Sequence, residues 1–524
     1  MKRNTLLFAI LLSVPVGLFL LQHYFYHSPE LYPTGFTVDE NVLYMSYARQ
    51  YNDQPAFSLF YSNPFDGDPA SPRIYFQPVN LLLAALIKTG ADPGLSFSLF
   101  GLLMTILCVY TGLLILRHLL GEQKNQGLIS LLFTWGGGFT ALAGFGALLF
   151  LPGQTAPAWL DAIHIADPAS GWWGLNWGRN LFIPLEAWYH FLFLLNIYLL
   201  LKQRWAAGLF TAFFLSISHP FTGIEYLLII NGWLFFEKIV YKNKTIPYKY
   251  WAGIFLVTLF HTGYYLYYLN RFPEHRLLFS QYSAGWTYSL RIAMAAYLIV
   301  FVLSFFALRI NKRNPILSQP HQRLFLCWAV IAFLLSKHEW FMQPLQPVHF
   351  TRGYIWAGLF LFSLPVLAWL LNTWKSPYRK VVLALLIIFF LADNVLWTYN
   401  VVHKKDVAEW EGHITRETRD VLNYLGKETT VNDLLTGNAA LVNYLSNVYS
   451  PANAWISHPY NTPDRAGRKT VMEHYLLTGE KPAAWNKRRI LLLLDRKYAG
   501  GMAIHSSLLK NKIFENNRYS LFIP

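Results

Sequence analysis

Cysteine is almost absent from this chain. Cys108 and Cys327 are the only two among 524 residues, and each sits inside an apolar run. That leaves no disulfide framework and no thiolate metal site of CxxC spacing, and it disfavours redox chemistry. Charge is scarce too: Asp, Glu, Lys and Arg make up 14% of the chain, against about 25% in soluble domains. From Leu6 almost to Asn400 no polar stretch is long enough to enclose a separate soluble core. The net charge of +15 brings no nucleic-acid partner with it, because the basic residues are dispersed in short groups without an aromatic-basic reading motif. An internal repeat is not evident, which weakens a carrier built from two related halves.

What the chain has is apolar: 54% of its residues are hydrophobic and 17% aromatic. Runs at 5–22, 95–118, 127–151, 181–201, 205–218, 221–236, 250–269, 288–308, 323–336, 351–372 and 380–398 predict about eleven membrane helices, some too short to cross a bilayer at right angles. The first run follows Lys2 and Arg3 and lacks a small-residue cleavage site before Gln22, so it reads as a retained helix rather than a signal peptide. Basic groups such as Lys202/Arg204, Lys238 to Lys249 and Arg309 to Arg313 fall on alternate connections, which puts the N-terminus in the cytoplasm and the C-terminus outside. Most interhelical acids then face outward, as do three long aromatic loops at 23–94, 152–180 and 337–350, and this is the expected working face. The expected architecture is an α-helical polytopic membrane domain over 1–400 and a small soluble α/β extracytoplasmic domain over 401–524. That tail should carry a helix at 406–425 and strand signals at 489–494 and 520–523.

Several residues on the outer face could carry chemistry. Asp39-Glu40 precedes a short helical pattern with Tyr44, Tyr47 and Arg49, where a carboxylate serves either as a helix cap or as a general base for an incoming acceptor. Asp66-Gly67-Asp68 is a turn-forming pair of acids that could also hold a hard divalent cation. His219-Pro220 separates two short apolar runs, the kind of break where membrane proteins line polar cavities. Arg352, after His349, and Arg179, after Trp177, open apolar spans at headgroup level. There an arginine either snorkels to lipid phosphates or clamps a substrate phosphate. Glu186 and His190, four residues apart, share a helix face that is expected to point into the bundle.

Taken together, the acidic pair Asp39-Glu40 with Tyr44 and Tyr47-Ala48-Arg49, the Asn63-Pro64-Phe65 segment, the His219-Pro220 hairpin and the Gln346-Pro347-Val348-His349-Phe350-Thr351-Arg352 segment resemble the GT-C class of polyprenyl-phosphate-dependent glycosyltransferases. Bacterial mannosyltransferase-like and aminoarabinose-transferase-like members are the branches it looks most like. Segments of the tail, Trp455 to His458, Thr462 to Asp464 and Lys469 to Gly479, resemble the outer domain of bacterial relatives. The resemblance implies a multi-pass protein of the cell (inner) membrane that moves a sugar from a polyprenyl-phosphate donor to a lipid, polysaccharide or protein acceptor, with inversion. Asp39 would be the base and Glu40 its support, though the roles can be exchanged. Arg352, His349, His219 and Arg179 would bind the donor phosphate, while Asp66, Asp68, Glu186 and His190 would contact substrate or metal. A divalent cation is left open. Trp172-Trp173 is followed by Gly174 rather than Asp, so sequon glycosylation is disfavoured. Two alternatives stand beside this reading. One is a transporter or flippase for lipid-linked saccharides, which should place charged residues deep in several helices, and the other is a noncatalytic assembly protein of envelope polysaccharide synthesis.

Overall fold

The structure is a computed structural model that describes residues 2–38, 40–53, 58–68, 70–123, 125–140, 175–281, 285, 287–309, 316–372, 377–498 and 503–524. It is mostly helical, and proline opens several of the helices, at Pro78, Pro184, Pro220 and Pro320. Proline is favoured there because its missing N–H would have no intrahelical partner and its φ is already helical. The chain divides into two compact units: Met1–Phe19, Phe100–Gly263 and Ala284–Lys404 form the first, and Leu20–Leu99, Tyr264–Ser283 and Lys405–Pro524 form the second.

Among the described residues, five helical segments are long and apolar enough to cross a membrane: Pro93–Leu120, Pro184–Leu201, Leu290–Arg309, Pro347–Asn372 and Arg379–His403. A sixth arises if Thr5–Leu12 and Val14–Phe25, bent by 45° at their junction, act as one span. The runs expected at 205–218 and 323–336 form the shorter apolar helices Trp205–Ser218 and Pro320–Ser336. The run expected at 127–151 is helical from Gln126 to Trp135 and then extends through Gly136; its part from 141 onward lies outside the described residues.

The first unit is inverted relative to a soluble bundle. Arg379–His403 exposes Val381, Leu385, Ile388 and Val395, whereas Asp393 and Asn394 are buried on its inner side. Apolar side chains turned outward with polar ones inside are stable in hydrocarbon, where each unpaired polar group facing lipid would be costly. The core is centred on Tyr354–Asn372, which packs against both Leu290–Arg309 and Pro320–Ser336. At Gly358 an added Cβ would lie 2.9 Å from the Ala329 backbone nitrogen, so a small residue is what lets the two helices approach.

The second unit contains the sheets. Strands β1 (Leu31–Pro33) and β2 (His413–Thr415) form an antiparallel pair. Strands β3 (Asp433–Gly437), β4 (Asn453–Ala454), β5 (Arg489–Asp495), β6 (Lys512–Glu515) and β7 (Tyr519–Phe522) form a mixed sheet in the order β4-β3-β5-β7-β6, parallel at β4-β3-β5 and antiparallel beyond. The run Ile490–Leu494 is buried throughout, as a strand covered on both faces should be. The helix expected at 406–425 begins only at Arg416 and runs to Glu428. Residues 413–415 are held in β2, and the Thr415 hydroxyl caps the helix by accepting the Thr418 amide hydrogen, so pairing with β1 overrides the helical pattern upstream of the cap.

Candidate functional site

The first unit brings five of the candidate residues together. Gln346 has φ 49°, Arg352 φ 22° and Gly353 φ 78°, so two left-handed kinks bracket the short turn Pro347–Phe350 before the helix Tyr354–Asn372. An added Cβ at Gly353 would lie 2.5 Å from the Trp177 Cα. No other residue fits both that φ and that gap. The turn delivers His349 and Arg352 to the same place, where Arg352 Nη2 donates to His349 Nδ1 and Nη1 to Glu186 Oε1. Both members of the Glu186–Arg352 pair are 5% exposed.

His190 fixes the backbone of this turn. Its Nε2 lies 2.7 Å from the Arg352 carbonyl oxygen and its Nδ1 2.6 Å from the Glu186 carbonyl, while its ring stacks on Tyr354 at 4.9 Å. His219 arrives from the break between Trp205–Ser218 and Pro220–Phe235 as the N-cap of the second helix. There His219 Nδ1 accepts the Thr222 amide hydrogen at 3.1 Å, and the ring stacks on Tyr189 at 4.6 Å.

The tautomers follow from these bonds. A neutral His219 that accepts at Nδ1 carries its proton on Nε2, and Nε2 stands 3.5 Å from Arg352 Nη1, which is also a donor. His349, accepting at Nδ1, likewise keeps its proton on Nε2. Three N–H-bearing side chains thus converge in a buried place, where Glu186 is paired with the Arg352 guanidinium and the buried Glu225 also feels its charge. Two donors facing each other are satisfied by an acceptor that reaches both, and an anionic oxygen is the strongest such acceptor.

Arg179 is held elsewhere. Its Nε donates to Asn394 Oδ1 at 3.2 Å and its Nη2 lies 3.8 Å from Asp393 Oδ2, which also accepts from the Thr140 amide and hydroxyl. Three buried acids on helices were not anticipated as site residues. Besides Asp393 these are Glu237, in a bidentate pair with Arg323 at 2.5 and 2.8 Å, and Glu225, fully buried with neither carboxylate oxygen hydrogen-bonded among the described residues. Single acids inside apolar runs carry no spacing signal; their rarity at membrane depth is the one cue the sequence offers.

Asp39 lies outside the described residues. Glu40 is exposed, has φ 69°, and precedes the helix Asn41–Asn52 without a side-chain capping bond. On the helix it precedes, Tyr44 stacks on Phe97 at 6.3 Å and Tyr47 meets Tyr61 at 5.0 Å. Asp66 is buried and engaged by Arg468, whose Nη2 lies 2.6 Å from Oδ1. Asp68 is exposed and accepts the Ala70 amide hydrogen. The two acids are therefore separated by function as well as by burial: one is in an ion pair, the other closes a turn. Asn63 also closes a turn, through Oδ1 to the Phe65 amide, and bonds the Asn461 carbonyl through Nδ2.

Family models give no match to this chain, and a search of curated proteins finds none that matches it.

Proposed function

We propose that this chain is a polytopic membrane glycosyltransferase that transfers a sugar from a polyprenyl-phosphate donor to an acceptor by inverting displacement. In this reading about eleven spans lie in the cell (inner) membrane, with the N-terminus cytoplasmic and the tail outside. The observation that supports it is the meeting of His219 Nε2 and Arg352 Nη1, two donors 3.5 Å apart, with His349 on the same guanidinium. Arg352 Nη1 already meets Glu186 Oε1, and a donor phosphate would add an oxygen that the guanidinium and His219 Nε2 could share. As the sugar leaves, negative charge grows on that oxygen, and donors already in place stabilise the charge without reorganising. The leaving group then needs no separate acid. The acceptor base is assigned to Asp39, with Glu40 beside it, on the sequence alone.

The test is release of polyprenyl phosphate from a labelled polyprenyl-phosphate sugar by the purified protein in proteoliposomes, with candidate acceptors supplied. Arg352→Lys keeps the charge but loses the fork geometry, and a fall in rate of about 100-fold or more is expected for a lost oxyanion contact. Asp39→Asn should abolish release. Wild-type rates in both variants would overturn the reading.

A second reading draws on a different observation: Glu186, Glu225, Glu237 and Asp393 are all buried on helices of the first unit, as a carrier for lipid-linked saccharides would require. It expects a labelled donor to cross the bilayer intact, with no polyprenyl phosphate released.

A further inference from the structure

In the second unit, His23, Asp406 and His413 each present one ligand atom within 4.8 Å of the other two. His23 and His413 are buried, at 2% and 0% exposure. His413 Nε2 lies 2.8 Å from the His23 carbonyl oxygen, so it is the N–H of that ring, and a neutral His413 keeps its lone pair on Nδ1. That nitrogen faces Asp406 Oδ2 at 3.2 Å. A lone pair and a carboxylate oxygen repel at this distance unless a positive charge stands between them. In a tetrahedral zinc site with bonds of about 2.0–2.1 Å, neighbouring ligand atoms stand roughly 3.3 Å apart. His27 completes the surroundings: its ring is 5.1 Å from that of His413, and its Nδ1 is tied to the Ser28 carbonyl, which leaves the lone pair on Nε2.

We propose that His23, Asp406 and His413 form a binding site for a divalent transition-metal ion of the zinc class. Two imidazoles and one carboxylate suit a borderline ion rather than calcium or magnesium, which take oxygen ligands. His413 is oriented by the His23 backbone carbonyl on its far nitrogen, as metal-bound histidines are. The site has a structural consequence. His27 is bridged to Asp406, and β1 pairs with β2, so the ion fastens the segment 23–33 to the segment 406–415. His23 Nε2 accepts the Gly35 amide hydrogen at 3.1 Å; the metal competes for that same lone pair, and loading the site releases the Gly35 N–H.

The full chain, purified in detergent and stripped with a chelator, is dialysed against zinc or cobalt(II) alone. The expected result is one metal ion per chain, visible ligand-field bands for cobalt, and a melting temperature that falls again when chelator is added. Asp406→Asn and His413→Gln should each weaken binding tenfold or more, whereas His403→Gln, whose ring stacks on Tyr399 at 4.0 Å, should leave it unchanged. Absence of stoichiometric metal in the wild-type chain, or equal binding by the Asp406 and His413 variants, would overturn the proposal and leave a protonated His413 paired with Asp406. The wild-type cobalt spectrum decides the matter if a variant fails to fold. Polyprenyl phosphate release is not the readout, so this site and the donor-phosphate reading fail independently.

Discussion

Arg468 reaches across 402 residues of sequence to Asp66, with Nη2 2.6 Å from Oδ1 and a further bond from Nη1 to the Asp66 carbonyl. The guanidinium also lies over the Trp455 ring at 4.5 Å. Removing it strands a carboxylate that is 10% exposed. Arg468→Ala should therefore destabilise the second unit by about 2–3 kcal/mol, somewhat below the range for fully buried pairs. Hydrogen exchange should quicken in peptides covering 58–68 and 453–479 and stay unchanged in Tyr354–Asn372.

For Glu186 and Arg352, stability and function should separate. Arg352→Met alone leaves Glu186 buried without its partner and should cost about 3–5 kcal/mol, while Glu186→Gln together with Arg352→Met should recover most of that loss. Neither protein should release polyprenyl phosphate. Thermal unfolding and turnover measured on the same samples check both halves; a double variant that regains activity would remove Arg352 from the mechanism.

His458 makes the tail sensitive to acid. Its Nδ1 accepts the Tyr460 and Asn461 amide hydrogens at 3.1 and 3.0 Å, and its ring packs on Phe65 and Tyr444. Burial first, and then the Arg465 cation, push its pKa from 6.5 down to about 4. The unfolded chain thus binds a proton that the folded chain refuses. Stability is full above about pH 6.5 and falls as the pH drops toward 4, by roughly 3 kcal/mol at most. Hydrogen exchange in 453–479 should speed up across that window in the wild type and much less in His458→Asn.

Asp433 adds a loss farther into acid. Burial would raise its pKa, but hydrogen bonds from Arg489 and the Thr430 amide outweigh that and hold the carboxylate below its usual value. Its stabilising contribution is present above the ordinary carboxylate range and disappears as the pH falls through the lowered value. Asp433→Asn should remove this low-pH component of unfolding while leaving the His458 component in place.

Glu40 separates backbone strain from chemistry. At φ 69° a glutamate is strained, whereas asparagine tolerates that conformation better. Glu40→Asn should leave stability unchanged or raise it by up to about 1 kcal/mol. A simultaneous loss of transfer would identify the carboxylate as functional, and unchanged transfer would assign the support role elsewhere.

Local patterns were the legible part. The break at His219-Pro220 and the turn before Arg352 stand where proline and apolar periodicity put them, and Glu186 and His190 could be paired because helical spacing is short-range. Partners set by long-range folding carried no such signal. His23 and His413 are 390 residues apart; the His23-x3-His27 spacing is a local hint of metal ligation, but nothing in the sequence ties it to Asp406 and His413. Glu225 and Asp393 were lost inside apolar runs for the same reason: one charge has no period. At 406–415 the helical pattern was local and the deciding contact, with β1, was distant.

Arg352 holds its neighbours by two different parts of itself. The side chain meets Glu186 and His349, while the carbonyl of the same residue receives His190. Head and backbone are linked across a pair of left-handed residues, 352 and 353, that have little freedom to turn separately. Any occupant that tugs on the guanidinium therefore pulls the peptide group too, and the segment Glu186 to His190 would register its arrival as a mechanical displacement.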